Sequence, residues 1–506
     1  MMPPVHGQHI KGIGALMGKN ILIIGAGVAG LSAGCYGQMN GFSTKVLEMH
    51  DQPGGMCTAW TRGHYTLDGC IHWLVGTKPG TKMNRIWGDL GALQDCQVAQ
   101  HEIFRQIVVG DRVLNVYTDP DALEEEMLEK SDGDEDIIRE FTDAIRGFIG
   151  FEPPLDTRKI SIIEYIRMLP YLPKLMRYQK VTIGEFTERF TDPFLKKAFR
   201  MIFPLSSSPL FIAVLTLALM SDGDAGCPTG GSLAFAKRIE RRYLELGGQV
   251  SYRSKVVKIL IEGGRATGVL LDDGSEVHAD HIVSACDGHH TLFDLIGEEH
   301  LDQHAVRPYQ VLETFKPIVY VSMGVDRDMT GEPPITTVVL DQPIEIAGEK
   351  QDCIGWAVHS YDPSRAPPGK CTITSMIETD YGFWRDAHSD RSRYECEKRK
   401  VRDILTEHLE TRYPGIGSQI EVVDVATPLT WERYTGVWQG AYEGWMPSTE
   451  ARRMTIPRTL EKVENFSICG QWVEPGGGVP PSAISGRNAI RDICRREKVR
   501  FHGQAR

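Results

Sequence analysis

The chain has 506 residues, of which 41% are hydrophobic and 24% are charged, an ordinary balance for a globular protein. Its 56 Lys and Arg stand against 67 Asp and Glu, and this net charge of −11 argues against a nucleic-acid partner, which needs a basic face. The 11 cysteines are odd in number and form no Cys-x-x-Cys pair, so we expect free thiols, a cytoplasmic location and no metal site.

Residues 1–19 precede the first patterned segment, and we expect a flexible arm there. They lack the apolar core of a secretory signal. The most apolar stretch of the chain, 210–220, is far shorter than the roughly 20 residues that a spanning helix needs. The sequence therefore predicts no transmembrane anchor.

The first predicted strand, 21–24, is a continuous apolar run of the kind that lies buried in a parallel sheet. It leads into Gly-x-Gly-x-x-Gly, which is followed by a predicted helix over 31–40 and a second predicted strand over 44–48. In such a β-α-β unit the glycines make the turn, let backbone approach a pyrophosphate and pack helix on strand. The residues expected to contact a dinucleotide here are Gly25, Gly27, Ala29, Gly30 and Glu48.

Glu48 ends the second predicted strand, 23 residues after Gly25. An acid near this spacing binds the ribose hydroxyls of a dinucleotide. It also disfavours a 2′-phosphate, so NADP is not expected at this site.

A glycine pair, Gly54-Gly55, follows the second strand, and a hydroxyl residue, Thr58, comes three positions later. This pattern resembles the second signature of the two-dinucleotide-binding-domain flavoproteins. The resemblance implies that the two glycines pass close to the pyrophosphate and ribityl chain of FAD. The basic residue often found after the pair is Met56 in this chain.

The end of the chain is similar to the C-terminal FAD motif of the same family. A short apolar strand over 466–469 ends at Gly470, and a Gly/Pro turn over 475–480 precedes a helix. Proline is favoured where a helix begins. The resemblance implies that this helix N-terminus points at the flavin ring, where its dipole stabilises negative charge on reduced flavin. Gln471 replaces an acid that many flavoproteins carry after the strand.

Further segments narrow the resemblance to the phytoene desaturase and carotenoid isomerase group, to which the retinol saturases are similar. The matching segments are 228–231, 255–259, 279–285, 427–436 and 440–445. The resemblance runs from about residue 20 to residue 494. This resemblance implies that FAD is also held by residues outside the Gly-x-Gly-x-x-Gly turn. They are Gly54, Gly55, Met56, Thr58, Val257, Gly470, Gly478, Val479 and Pro480.

The implied fold is α/β, with a Rossmann-like FAD-binding domain interleaved with an α+β substrate domain. We expect the FAD-binding domain over 20–85, 225–310 and 455–495. The substrate domain then takes 86–224 and 311–454.

The candidate catalytic residues are His72, Trp73 and Glu474. By resemblance, His72 lies beside the flavin ring, where an imidazole that titrates near neutrality could move a proton. The alternative is a packing histidine. Trp73 either walls the pocket or packs in the core. Glu474 either faces the substrate or lies at the water-exposed edge of a turn.

Residues 160–180 are dense in apolar side chains, with Arg and Lys between them. Such a stretch could lie on an anionic membrane and admit a lipid substrate. The alternative is a pair of helices that cap the substrate domain.

We therefore expect an FAD-dependent oxidoreductase that desaturates, saturates or isomerises an apolar polyene or isoprenoid by hydride exchange with flavin N5. No second Gly-x-Gly-x-x-Gly follows a strand, so the electron partner is external: a quinone, oxygen or a reductase. The alternatives are a flavin amine oxidase, with an aromatic cage from Tyr434, Trp438, Tyr442 and Trp445, and a non-enzymatic carrier of prenylated proteins with a related fold.

Overall fold

The computed structural model describes residues 18–156, 158 and 160–503. The expected arm therefore lies almost wholly outside the described residues. The strands are β1 (Asn20–Ile24), β2 (Ser43–Leu47), β3 (Ala59–Arg62), β4 (Tyr65–Asp68), β5 (Leu74–Val75), β6 (Val98–Ala99), β7 (Ile103–Val109), β8 (Arg112–Tyr117), β9 (Ala225–Pro228), β10 (Gln249–Ser251), β11 (Val256–Glu262), β12 (Arg265–Leu271), β13 (Glu276–His278), β14 (His281–Ser284), β15 (Ile318–Val325), β16 (Ile335–Ile346), β17 (Glu349–Val358), β18 (Cys371–Glu378), β19 (Ile420–Ala426) and β20 (Phe466–Ile468). The helices are α1 (Val28–Met39), α2 (Lys82–Asp89), α3 (Pro120–Glu129), α4 (Glu135–Arg146), α5 (Ile162–Met168), α6 (Leu172–Tyr178), α7 (Ile183–Thr187), α8 (Pro193–Ile202), α9 (Leu210–Ser221), α10 (Gly231–Glu245), α11 (Gln303–Val311), α12 (Tyr381–His388), α13 (Arg391–Arg412), α14 (Pro428–Thr435), α15 (Thr449–Arg453) and α16 (Val479–Arg496).

A parallel sheet in the order β10-β2-β1-β14-β20 forms the centre of the molecule. Its middle strand, β1, is buried from Ile21 to Ile24 because apolar side chains cover both faces. Helix α1 packs against α10 and α16 beside this sheet. The strands come from three distant parts of the chain, so the Rossmann-like α/β fold predicted from the sequence is confirmed.

The segment 249–262 holds two strands, β10 and β11, that belong to different sheets. Between β10 and β11 the backbone of Arg253 takes a positive φ of 51°, and its N–H donates to the His50 carbonyl (3.0 Å). This turn releases the chain from the parallel sheet. It then enters an antiparallel sheet, β11-β12-β13, whose last connection carries an Asp273-Gly274 turn.

The second large sheet has seven strands in the order β19-β15-β18-β17-β16-β7-β8. Apolar side chains of β7 and β8 pack into a core with α3, α4, α8 and α9, so the apolar helix α9 is a buried helix. Buried side chains of α13 pack with those of β15, β17 and β18.

The predicted domain boundary at residues 85 and 86 falls inside α2. Met83, Ile86 and Trp87 of this helix pack in one cluster with α1, α10 and α16. The exact division of the chain into two domains therefore stays a prediction.

No helix of the described residues is long and apolar enough to cross a membrane.

A buried ion cluster joins the β3–β4 hairpin to α10 and to the seven-stranded sheet. Arg365, only 2% exposed, places its guanidinium 3.1 Å from an Asp362 oxygen and 3.5 Å from an Asp68 oxygen. Asp68 ends β4 and also accepts a hydrogen bond from the Ser232 hydroxyl (2.6 Å) at the start of α10. The Tyr320 hydroxyl of β15 donates to the Asp68 carbonyl (2.8 Å). The cluster fixes the end of the β3–β4 hairpin, and with it the segment that follows.

Arg365→Met is predicted to lower the free energy of unfolding by about 3–5 kcal/mol, because it leaves two buried carboxylates without a cation. Urea unfolding measures the change. Arg402→Met removes an arginine from a partly exposed pair with Asp403 and is predicted to cost no more than about 1 kcal/mol. Equal losses in the two variants would contradict the assigned role of the cluster.

Candidate functional site

A cavity of about 440 Å³ lies where the parallel sheet ends and the seven-stranded sheet begins. The loops after β1, β2 and β14 and the start of α16 all reach it. Ligands of α/β folds bind at this edge, outside the carboxyl ends of the strands. Of the predicted site residues, the cavity is lined by Gly25, Gly27, Ala29, Glu48, Gly54, Gly55, Met56, Thr58, His72, Gly470, Gly478 and Val479.

The start of α1 opens directly into this cavity. Gly27 is the N-cap of α1 at an ordinary φ of −67°, and no side chain caps the helix. A Cβ at Gly27 would meet no protein atom closer than the Gly54 carbonyl, at 3.8 Å. Neither packing nor backbone conformation requires a glycine here, so the open space is a cradle that a side chain would fill. The first N–H groups of the helix have no intrahelical partner and favour an anion.

Gly30 lies outside the cavity lining and has a packing role. A Cβ there would stand 1.9 Å from the Gly25 carbonyl oxygen, so a side chain would push α1 away from the turn. The third glycine of the motif is thus required by helix-on-strand contact, as the sequence predicts.

Glu48 is buried at the cavity wall and organises both turns beside it. Its carboxylate accepts hydrogen bonds from the N–H groups of Ala26 (2.7 Å) and His50 (2.9 Å). The glycine pair is tied to the same turn, because the Gly54 N–H donates to the Ala26 carbonyl (2.9 Å). The predicted contact of Glu48 with a ribose stays a prediction, and the structure adds a role in shaping the cradle.

The C-terminal segment brings a second helix start to the cavity. Gly478 is the N-cap of α16 and Val479 is its first residue, and both line the cavity. Pro480 is the next helical residue and lies outside the lining. Pro480 and Pro481 have no N–H, and the Ser482 N–H already donates to the Gly478 carbonyl (3.2 Å). Val479 therefore carries the first N–H that α16 offers to a ligand.

Val257 lies outside the lining as well. Val256, its neighbour on β11, lines the cavity, whereas the Val257 side chain is exposed to solvent. Successive side chains of a strand point to opposite faces, so a one-residue shift reverses which of the two is inside.

His72 stands between the main cavity and a second cavity of about 40 Å³. Burial lowers its pKa to about 4, because the charged ring would lose its hydration and the nearby Asp68 carboxylate compensates only in part. Burial also lowers the pKa of His101 and of His359, which line the second cavity. The imidazole of His72 is therefore neutral near pH 7 and can donate or accept a hydrogen bond. This differs from the expectation that His72 titrates near neutrality.

Trp73 lines the second cavity and turns its ring edge-on to Phe104, with centroids 5.4 Å apart. Glu474 lies outside both cavities, and its carboxylate pairs with Arg458. Neither side chain reaches the main cavity. Trp73 fits the packing alternative, and Glu474 is held by an ion pair rather than aimed at a substrate.

Three acids of the lining are not among the predicted site residues: Asp287, Glu443 and Asp424, the last of which pairs with Arg62. Asp287 follows β14 and accepts hydrogen bonds from the N–H groups of His290 (2.9 Å) and Trp438 (3.0 Å), and burial raises its pKa to about 6. Glu443 lies in the loop before α15, and burial raises its pKa to about 7. Asp287 could have been found from its place after a buried parallel strand. An acid inside the aromatic segment Tyr442–Trp445 was the available signal for Glu443.

A family model for flavin-containing amine oxidoreductases matches residues 28–494. The chain belongs to the flavin-containing amine oxidoreductase family. Together with its relatives, this match makes it an FAD-dependent oxidoreductase.

Relatives of this family member include carotenoid enzymes. A lycopene-forming phytoene desaturase of a Paracoccus species is 24% identical over 91% of this chain and 94% of its own. A chloroplastic prolycopene isomerase of Daucus carota is 22% identical over 94% of this chain and 80% of its own. The solved structure of cyclohexylamine oxidase from Brevibacterium oxydans superposes with a TM-score of 0.59 and is 15% identical, over 95% of this chain and 99% of that one. That last likeness concerns the fold alone.

The donor set of the cavity fits FAD. Gly27 leaves the cradle that a pyrophosphate needs beside the N-terminus of α1. Glu48 lines the wall close to this cradle, and α16 brings a second helix N-terminus. The adenosine diphosphate half of FAD requires the cradle at α1 and an acid such as Glu48. Its flavin ring gains negative charge when it is reduced and is stabilised by a helix N-terminus such as that of α16.

Gly27→Val is predicted to abolish FAD retention while leaving the protein folded, because a Cβ there meets no protein atom closer than 3.8 Å and the side chain fills the cradle. The visible flavin absorbance of the purified variant measures retention, and circular dichroism measures folding. Gly88→Val, on an open face of α2, is the matched control and is predicted to keep its flavin. Full flavin occupancy in Gly27→Val would refute this placement of the cofactor.

Proposed function

We propose that this FAD-dependent oxidoreductase acts on carbon–carbon bonds of an apolar polyene or isoprenoid-like substrate, by desaturation, saturation or cis–trans isomerisation. Its similarity to the phytoene desaturases and prolycopene isomerases extends over more than nine tenths of this chain. The observation that carries the proposal is the apolar wall that the seven-stranded sheet and the segments after it form on one side of the cavity.

This wall is built from the seven-stranded sheet and the loops that follow it. Its apolar and aromatic members are Ile318, Met376, Ala426, Trp431, Val437 and Tyr442. Asp424 also lines the cavity, but its carboxylate is paired with the Arg62 guanidinium at 2.7 Å. A hydrocarbon chain can lie against such a wall without stripping water from an unpaired charge.

When bound, FAD supplies the hydride chemistry. The residues of the chain hold and orient it: Gly27 and Gly54 form the cradle, and Val479 presents an N–H at the second helix start. Neutral His72 supplies a hydrogen-bonding group at the deep end of the cavity. The electron partner in this proposal is external to the chain, a quinone, oxygen or a reductase.

A flavin amine oxidase is the second candidate, favoured by the fold of cyclohexylamine oxidase. The expected aromatic cage is incomplete. Tyr434 and Tyr442 line the cavity, whereas Trp438 stacks on His289 (4.4 Å between centroids) and Trp445 is buried with its N–H donated to the Trp472 carbonyl (3.0 Å). Four rings that face different neighbours do not enclose one amine.

Anaerobic mixing of the holoenzyme with polyenes and isoprenoids tests the proposal, with the visible flavin band as the readout. Bleaching of oxidised flavin means desaturation, and recovery of colour from reduced flavin means saturation. A changed isomer composition at constant flavin colour, followed by chromatography, means isomerisation. The proposal fails if every polyene stays unchanged while an amine bleaches the flavin and yields peroxide in air.

We also propose that the enzyme is cytoplasmic and touches a membrane surface through α5 and α6. The side chains of Ile162, Ile163 and Ile166 are 80%, 65% and 58% exposed, and no large apolar side chain of another described element reaches that exposure. Exposed Arg167 and Lys174 lie in the same stretch. Apolar side chains ringed by cations fit the surface of an anionic bilayer.

Ile162→Ser combined with Ile163→Ser is predicted to reduce sedimentation with phosphatidylglycerol-containing vesicles about tenfold, because burying these side chains in the bilayer stabilises the bound state. Leu244→Ser combined with Val311→Ser, two exposed apolar residues elsewhere, is the matched control and is predicted to bind like the wild type. Equal binding of all three proteins would contradict this surface.

A further inference from the structure

Glu443 is a half-buried acid that the sequence motifs leave without a role. It lies in the segment between α14 and α15 and lines the main cavity. Its carboxyl forms no hydrogen bond or ion pair with the described part of the chain. Burial alone raises its pKa to about 7, and no cation lowers it. The carboxyl is accessible only from the cavity side that it lines, so a ligand in the cavity is the partner that it can meet.

The position of Glu443 beside α16 indicates that its partner in the cavity is FAD. A Cβ at Gly477 would stand 2.1 Å from the Glu443 carbonyl oxygen, so the loop and the turn before α16 are in direct backbone contact. A Cβ at Gly478, the N-cap of α16, would lie 3.9 Å from a carboxyl oxygen of Glu443. The carboxyl thus shares the end of the cavity with the helix start that fits the redox-active ring of FAD.

We propose that Glu443 takes up a proton when the bound flavin is reduced and is the acid–base group of this site. Reduction adds two electrons and one proton to the flavin and leaves one negative charge on it. That charge disfavours a carboxylate nearby, so Glu443 binds a second proton from solvent. The balance is two electrons and two protons taken up, the electrons coming from dithionite in the experiment below.

Glu443 is one of two acids of the lining whose pKa burial raises toward neutrality, the other being Asp287 at about 6. The Asp287 carboxylate accepts hydrogen bonds from the N–H groups of His290 and Trp438, whereas the Glu443 carboxyl lies beside the start of α16. The start of α16 faces it with Gly477, Gly478 and Val479, none of which ionises. On its own loop, burial raises the pKa of the Tyr442 phenol well above its ordinary value. Glu378, at the end of β18, also acts on Tyr442, but it lies outside the cavity lining. His72 stays neutral because burial lowers its pKa to about 4.

The inference rests on FAD in the cavity and not on the proposed polyene substrate. Protons taken up per two electrons are measured during anaerobic reduction with dithionite, in weak buffer with a pH indicator and no substrate. One pH unit above the pKa of Glu443, the wild type is predicted to take up one more proton than Glu443→Gln. Well below that pKa, Glu443 is protonated in both redox states, so the two counts become equal.

Glu378→Gln is the matched control, the same substitution just outside the cavity, and is predicted to keep the wild-type proton count. Equal counts for wild type and Glu443→Gln throughout the pH range would overturn the inference. A failure to convert polyenes would leave it standing, because no substrate is present in this measurement.

A second measurement needs no variant and can overturn the inference even if Glu443→Gln does not retain flavin. The reduced-minus-oxidised infrared difference spectrum of the wild-type holoenzyme, above the pKa of Glu443, is predicted to gain a protonated-carboxyl band. Absence of that band would mean that no carboxylate of the protein is protonated on reduction, and the inference would fail.

Discussion

The buried contact among Asp68, Arg365 and Asp362 fixes the position of the segment up to His72, which lines the main cavity. Asp68 binds at once to the start of α10, to the guanidinium of Arg365 and, through its carbonyl, to Tyr320 of β15. Three elements of different chain regions therefore meet at the last residue of the β3–β4 hairpin. The next residues, up to His72, form the deep wall of the cavity, so the geometry of that wall follows from the ion cluster.

A second constraint is the distribution of charge around the cavity. Two helix starts face it, those of α1 and α16, and each favours negative charge. Asp424 is neutralised by Arg62, and the neutral imidazole of His72 adds no charge. Asp287 and Glu443 are the exceptions, two acids whose pKa values burial raises to about 6 and about 7, and Glu443 is the one that lies beside α16. In the proposed arrangement, the anionic cofactor lies at the two helix starts, the apolar substrate lies along the apolar wall, and Glu443 is the proton acceptor between them.

The motifs of the sequence sufficed for the nucleotide-binding part of the fold, because the glycine spacing, apolar strands and helix starts there are local patterns. The orientation of Val257 could not be predicted, because one residue of strand register decides it. The pairing of Glu474 with Arg458 and the packing of Trp73 on Phe104 depend on distant parts of the chain. Glu443 carried a visible signal, an acid among aromatic residues, but its burial and its contact with α16 are tertiary facts.

A crystal structure of the holoenzyme soaked with a long polyene tests the central claim most directly, because the claim concerns two ligands that share one cavity. The account predicts density for the FAD pyrophosphate between Gly27 and Gly54, the flavin ring at the start of α16 beside Glu443, and polyene density along Ile318 and Tyr442. Flavin density at another place, or polyene density only on the outer surface of the protein, would contradict it.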